Sequence, residues 1–158
     1  MDGEWSSAFN NAPTLGITPE HTTILPFTQM IADLPENYER HLDAFQFIRD
    51  VPVDWDNTKI LAAEPGHYIL TARKAKGKPD WYVGAITDEM ARNLPLDLSF
   101  LEPGKTYEAV IYRDAHNADW DTNPEAYVID KKMVTRQTKL ILSLAKGGGC
   151  AIQLVNKK

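Results

Sequence analysis

Past Pro52 the sequence divides into short runs of β-branched and aromatic residues, each closed by turn chemistry, and this punctuation most constrains the fold. The runs are Lys59 to Ala63, Tyr68 to Lys74, Trp81 to Thr87, Asn93 to Phe100, Tyr107 to Arg113, Tyr127 to Val134, Lys139 to Leu144 and Cys150 to Val155. Between them stand Glu64-Pro65-Gly66, Lys76-Gly77-Lys78-Pro79, Glu102-Pro103-Gly104-Lys105 and Gly147-Gly148-Gly149. No helical segment is available for parallel crossovers, so the strands pair antiparallel, and the spacing predicts an all-β Greek-key sandwich of about eight strands. Trp81 to Thr87 reads as a central strand with Trp81 inside.

Alternation assigns faces. In Leu94-Pro95-Leu96-Asp97-Leu98-Ser99-Phe100 the apolar side chains share one face, and Pro95 predicts an edge or strand start because it cannot donate to a ladder. Leu140-Ile141-Leu142-Ser143-Leu144 and Ala151 to Val155 are more continuously apolar, which predicts positions near the sandwich centre.

Before the strands the pattern is helical. Tyr38, Leu42, Phe45 and Ile48 recur at spacings of three and four, Pro35 suits a first turn, and Glu36 and Glu39 favour the positive end of the dipole. One amphipathic helix from Glu36 to Arg49 is expected, ended at Val51-Pro52 because the residue before proline is pushed out of the helical region. Residues 1 to 35, broken by Pro13, Gly16, Pro19, Pro26 and Pro35, read as an irregular arm. The organisation is thus arm at 1–35, helix and linker at 36–52, and sandwich at 53–158.

A net charge of −5 over 158 residues, with no basic stripe, argues against a nucleic-acid partner. No apolar run is long enough to cross a bilayer as a helix, and Met1-Asp2-Gly3-Glu4 lacks the basic start of a secretion signal, so no membrane partner is expected. Cys150 is the single cysteine, which excludes an internal disulfide and reads as packing.

The search for chemistry yields no catalytic set. His21, His41, His67 and His116 lack metal-ligand spacing, and no serine sits in a nucleophile elbow. Gly147-Gly148-Gly149 lies between two strands, without the helix N-terminus of a phosphate cradle, and reads as a hairpin loop. Asp119-Trp120-Asp121-Thr122-Asn123 resembles the opening of a calcium loop, but Pro124 occupies the place of the required glycine, so a solvated Asx-rich loop is the expectation. No cofactor and no metal site are predicted. Among Trp5, Trp55, Trp81 and Trp120, the candidates for stacking on a sugar are Trp120, set between two aspartates, and Trp55. The alternative reading of these rings is core and interface packing.

Several spaced blocks share one resemblance. Asp80-Trp81-Tyr82-Val83-Gly84-Ala85-Ile86-Thr87-Asp88, Leu96-Asp97-Leu98-Ser99-Phe100-Leu101, Tyr112-Arg113-Asp114 with Asn117-Ala118-Asp119, and Gly147-Gly148-Gly149 resemble the C-terminal domain of glycoside hydrolase family 97. Upstream, Pro52, Trp55-Asp56 and Thr58-Lys59 resemble that domain's start, while Ala32-Asp33 and Pro35 to Glu39 resemble the last helix of the family's catalytic barrel.

The resemblance implies an α-glycosidase parent, an α-glucosidase or α-galactosidase. Its parts would be an N-terminal supersandwich, a (β/α)8 barrel holding the catalytic carboxylates and a calcium ion, and a C-terminal sandwich that is structural and oligomerising. This chain then corresponds to the last of these with a barrel remnant. Glu20 to Thr28 resembles a barrel segment, but Gln29-Met30-Ile31 follow where the family carries a long stretch. Without most of the barrel, the paired carboxylates of glycoside hydrolysis are not assembled. Glu4-Trp5 corresponds at best loosely to the family's acid-bearing segment. The expectation is a noncatalytic domain that packs on its own barrel or forms a homo-oligomer. The alternatives are a carbohydrate-binding module for α-linked oligosaccharides, and a fragment of an active α-glycosidase. The parent family implies a periplasmic or exported location.

Overall fold

The computed structural model describes residues 35–157. The arm, with Glu4-Trp5 and the barrel-like Glu20 to Thr28, lies outside the described residues. Two helices lead the described chain, α1 (Pro35–Glu39) and α2 (Leu42–Asp50). The single helix expected from Glu36 to Arg49 is therefore corrected. Arg40 and His41 form a turn, and His41, at φ −131° and ψ 55°, leaves the helical region. The break resets the phase of the second helix. Ala44, Phe47 and Ile48 become its buried stripe, while Leu42, expected on the apolar face, is 63% exposed. Val51 closes α2 in extended backbone, as the following proline requires.

Eight strands follow: β1 (Trp55–Glu64), β2 (Tyr68–Ala75), β3 (Trp81–Thr87), β4 (Arg92–Asp97), β5 (Thr106–Asp114), β6 (Tyr127–Thr135), β7 (Lys139–Leu144) and β8 (Gly149–Lys157). They form a six-stranded sheet in the order β1-β2-β3-β8-β5-β6, and a two-stranded sheet of β4 and β7. All pairs are antiparallel. β8 returns to lie between β3 and β5, the long return of a Greek key.

The core lies between the sheets. Leu94, Leu96, Leu140, Leu142 and Leu144 face inward from the small sheet against Leu70, Val83, Tyr107, Ile152 and Leu154 of the large one. Each such aliphatic side chain contributes about 1.5–3 kcal/mol by leaving water, as an upper bound. Trp81 is buried as expected, and Pro95 stands on the exposed face of β4, whose one strand partner among the described residues is β7.

Two expectations are corrected here. Leu140 to Leu144 is not central: it lies in the small sheet, where burial strictly alternates and Ile141 is 66% exposed. A two-stranded layer has only one covered face, so an unbroken apolar run cannot be buried on both sides. Gly147-Gly148-Gly149 is not a hairpin loop either, because β7 and β8 belong to different sheets and the glycines carry the chain between them.

Candidate functional site

Two regions gather the polar and aromatic chemistry of the described residues. The first is the outer face of the large sheet, where α2 docks. Phe47 projects between Tyr82 and Tyr112, edge-on to both, at ring-centroid distances of 6.0 and 5.3 Å. Both ends of the helix are tied to the sheet. At its start the Tyr127 hydroxyl donates to Asp43 Oδ1 at 2.7 Å and lies 3.2 Å from His41 Nδ1. At its end the Tyr82 hydroxyl donates to the Asp50 carbonyl at 3.0 Å, satisfying one of the carbonyls that a helix C-terminus leaves open. The bond from Tyr127 lowers the Asp43 pKa, while burial and then Asp43 itself push the Tyr127 phenol up to about 12. The helix thus satisfies its apolar stripe on the sandwich of its own chain.

The second region is the end of the sandwich where β3 and β5 finish and β8 begins. The Asp88 carboxylate is buried there, hydrogen-bonded to Arg92 through both guanidinium NH groups, to His67 Nδ1 at 2.8 Å and to the Met90 amide at 2.9 Å. The Arg92 bonds are the main reason its pKa lies well below the usual carboxylate range, with His67 and the Met90 amide adding to them against its burial. Arg92 also lies over the Tyr68 ring, 5.4 Å from its centroid.

Asp114 closes the glycine run. Its Oδ2 accepts the amides of Ala145 and Gly149, each at 2.9 Å, while Oδ1 is buried with no hydrogen-bond partner. Desolvation raises its pKa to about 6, against the two amide bonds that pull it down. Gly148 leaves the space this carboxylate fills, since a Cβ there would collide with it. Gly147, at φ +64°, packs under Trp120, where an added Cβ would come within 3.1 Å of the Trp120 Cβ. The Gly147 amide donates to the Asp88 carbonyl at 2.7 Å, so the two carboxylate networks share one loop.

The two candidate sugar-stacking rings are not brought together. Trp55 begins β1, opposite Ala75, at the end where β3 starts, whereas Trp120 lies in the β5–β6 loop beyond the other end. The strands between them run roughly 20 Å at about 3.3 Å per residue. Trp55 is half-buried, edge-on to Tyr82 at 5.7 Å and covered by the Arg73 guanidinium at 5.2 Å, which is the packing reading of that ring. Trp120 is 44% exposed. The Asx-rich loop around it is held by Asp119, whose Oδ1 accepts from the amides of Asp121 and Thr122 and from the Thr122 hydroxyl. Among the described residues no cluster of three or more His, Cys, Asp or Glu is arranged to hold a metal ion, and no helix is long and apolar enough to cross a membrane.

Sequence reasoning missed the Asp88–Arg92–His67 network and the role of Asp114. A usable signal existed for the first, an aspartate just after a strand with an arginine four residues on, but His67 joins only because the β1–β2 turn folds over it. An antiparallel sandwich with a helix strapped to one face, and its buried carboxylates bonded into the framework, is the architecture of an accessory module.

Comparison with known proteins agrees. Residues 54–155 match the family described as "Glycosyl-hydrolase 97 C-terminal, oligomerisation". The chain belongs to that family. It is 41% identical over 132 residues to a retaining alpha-galactosidase of Bacteroides thetaiotaomicron, a match covering 82% of this chain and 19% of that protein. A glycoside hydrolase family 97 enzyme from Pseudoalteromonas sp. strain K8, solved with acarbose, superposes with a TM-score of 0.80 at 47% identity, over 82% of this chain and 20% of that one. A beta-arabinopyranosidase structure gives a TM-score of 0.63 at 25% identity, over 80% of this chain and 18% of its own. The chain therefore spans about a fifth of the length of the relatives it matches.

Proposed function

We propose that this chain acts as the noncatalytic, self-associating module of a family 97 α-glycosidase, packing on copies of itself and beside its own catalytic barrel. The observation that carries this is how its buried carboxylates are used. Asp88 is neutralised by Arg92 and bonded to His67, and Asp114 caps two backbone amides. Glycoside hydrolysis needs two carboxyl groups facing each other across an open bond, one to donate a proton and one to attack or activate water. Carboxylates locked into a framework serve the fold. The test is to assay the full chain on p-nitrophenyl α-glucoside and α-galactoside: release no faster than the buffer blank is expected, and sustained turnover overturns the noncatalytic reading.

The exposure of Trp120 favours a second reading, an α-linked oligosaccharide stacking on that ring, since a flat indole complements the C–H face of a pyranose. Titrating malto- and galacto-oligosaccharides while following tryptophan fluorescence tests it. A saturable change that disappears in Trp120→Ala supports it, and no change at millimolar sugar ends it.

A further inference from the structure

β1 is an edge of the six-stranded sheet, and among the described residues no strand pairs with its outer side. Two of the other edge strands are guarded. β6 carries the exposed Lys131 and Lys132, and β4 carries Pro95, which are the usual means by which natural sheets discourage edge-to-edge pairing. β1 holds one lysine and no proline in ten residues.

The segment Lys59-Ile60-Leu61-Ala62-Ala63-Glu64 has a symmetry that bears on what covers it. Its register with β2 pairs Lys59 with Ala72, Ile60 with Thr71, Ala62 with Leu70, Ala63 with Ile69 and Glu64 with Tyr68, and shifts between Ile60 and Ala62. Cross-strand partners share a face. Ala72, Leu70 and Tyr68 belong to the core side, so Lys59, Ala62 and Glu64 lie on that side and Ile60 and Ala63 on the other. The bulged Leu61 packs on the core side as well. From residue 59 to 64 the order of faces is core, outer, core, core, outer, core, which reads the same in both directions. Without the bulge, residues five apart would lie on opposite faces.

When two antiparallel edges join about a two-fold axis normal to the sheet, residues set opposite each other must share a face. The palindrome meets that condition at every position: Lys59 faces Glu64, Ile60 faces Ala63 and Leu61 faces Ala62, each from one copy to the other. The charges agree, because a positive residue opens the segment and a negative one closes it, so both ends of the seam become opposite-charge pairs. Lys59 and Glu64 are exposed, and neither takes part in an ion pair among the described residues. Ile60, 67% exposed, gains an apolar neighbour.

We infer that two copies of this chain join through β1, antiparallel with Lys59 opposite Glu64, making one sheet continuous across both. This rests on the self-association reading above and names the surface that performs it. The test is sedimentation equilibrium of the full chain and of Lys59→Glu, Glu64→Lys and the double exchange, with thermal melting to verify that each is folded. Glu64 lies within electrostatic reach of Arg92, so Lys59→Glu is the cleaner single variant. The expected result is a dimer whose dissociation constant rises about tenfold in Lys59→Glu, as like charges meet at both ends, and returns toward the starting value in the double exchange. A dimer indifferent to Lys59→Glu, or folded double-exchange protein no tighter than the single variant, overturns the β1 seam and leaves self-association standing. A monomer at every concentration overturns both.

Discussion

Phe47 meets Tyr112 edge-on, with ring centroids 5.3 Å apart and planes at 65°, and this contact joins the helical segment to a strand that begins more than fifty residues later. The positive ring edge of one aromatic lies against the negative face of the other, which adds about 0.5–1.5 kcal/mol to the area buried. With Tyr82 on its other side, Phe47 is the pin that holds α2 to the sheet.

Phe47→Ala is therefore expected to release the helix before the sandwich. Truncating a buried phenylalanine costs about 3–5 kcal/mol when the site cannot collapse. Hydrogen exchange read by mass spectrometry should show residues 42–50 losing protection while β3 and β8 keep theirs. Equal loss across the whole chain would mean that α2 is integral to the sandwich core.

Gly148→Ala is expected to destabilise the protein by about 1–3 kcal/mol, because the added methyl collides with a carboxylate that two amides hold in place. Gly66 provides the contrast. Its φ of +82° disfavours any side chain, but nothing lies within 4 Å, so Gly66→Ala should show only the conformational cost, on the order of 1 kcal/mol. Urea midpoints of the two variants compare a steric effect with a backbone effect.

The two buried carboxylates pull stability in opposite directions with pH. Asp114 has a folded pKa of about 6, above its ordinary value of 3.8, so its contribution is fully present at acid pH and is lost as pH rises through about 6. That loss is on the order of 3 kcal/mol. Asp88 is depressed, so its contribution is present above the ordinary carboxylate range and is lost as pH falls below it. Unfolding free energies of wild type and Asp114→Asn, measured from pH 4 to 7.5, should converge or cross as pH rises, with the wild type losing ground between pH 4 and 7. A constant difference across that window would contradict the raised pKa.

Much of the sandwich was legible because local chemistry and fold agree. Runs such as Trp81 to Thr87 are bounded by turn residues, and Gly66, Gly77 and Gly104 adopt the positive φ their turns demand. The candidate site was less legible. Trp120 and Trp55 were legible only as candidate rings, and the structure sets them at opposite ends of the strands, with Trp120 44% exposed and Trp55 half-buried. Tyr82 and Tyr112 carried no mark of their role, because an outward-facing aromatic in a strand reads the same whether a helix or water covers it.

The sequence alone determined the antiparallel strands, the inward face of β4, and the family, since these depend on alternation, turn residues and the order of motifs along the chain. Only the tertiary structure decided that the helix breaks at Arg40-His41, that the glycine run crosses between sheets, and that Lys59 and Glu64 share a face. Each of these depends on the rotation of an element or the register of a pair. A turn of two residues or a single bulge resets either, and hydrophobic periodicity does not record the shift until both partners are in place.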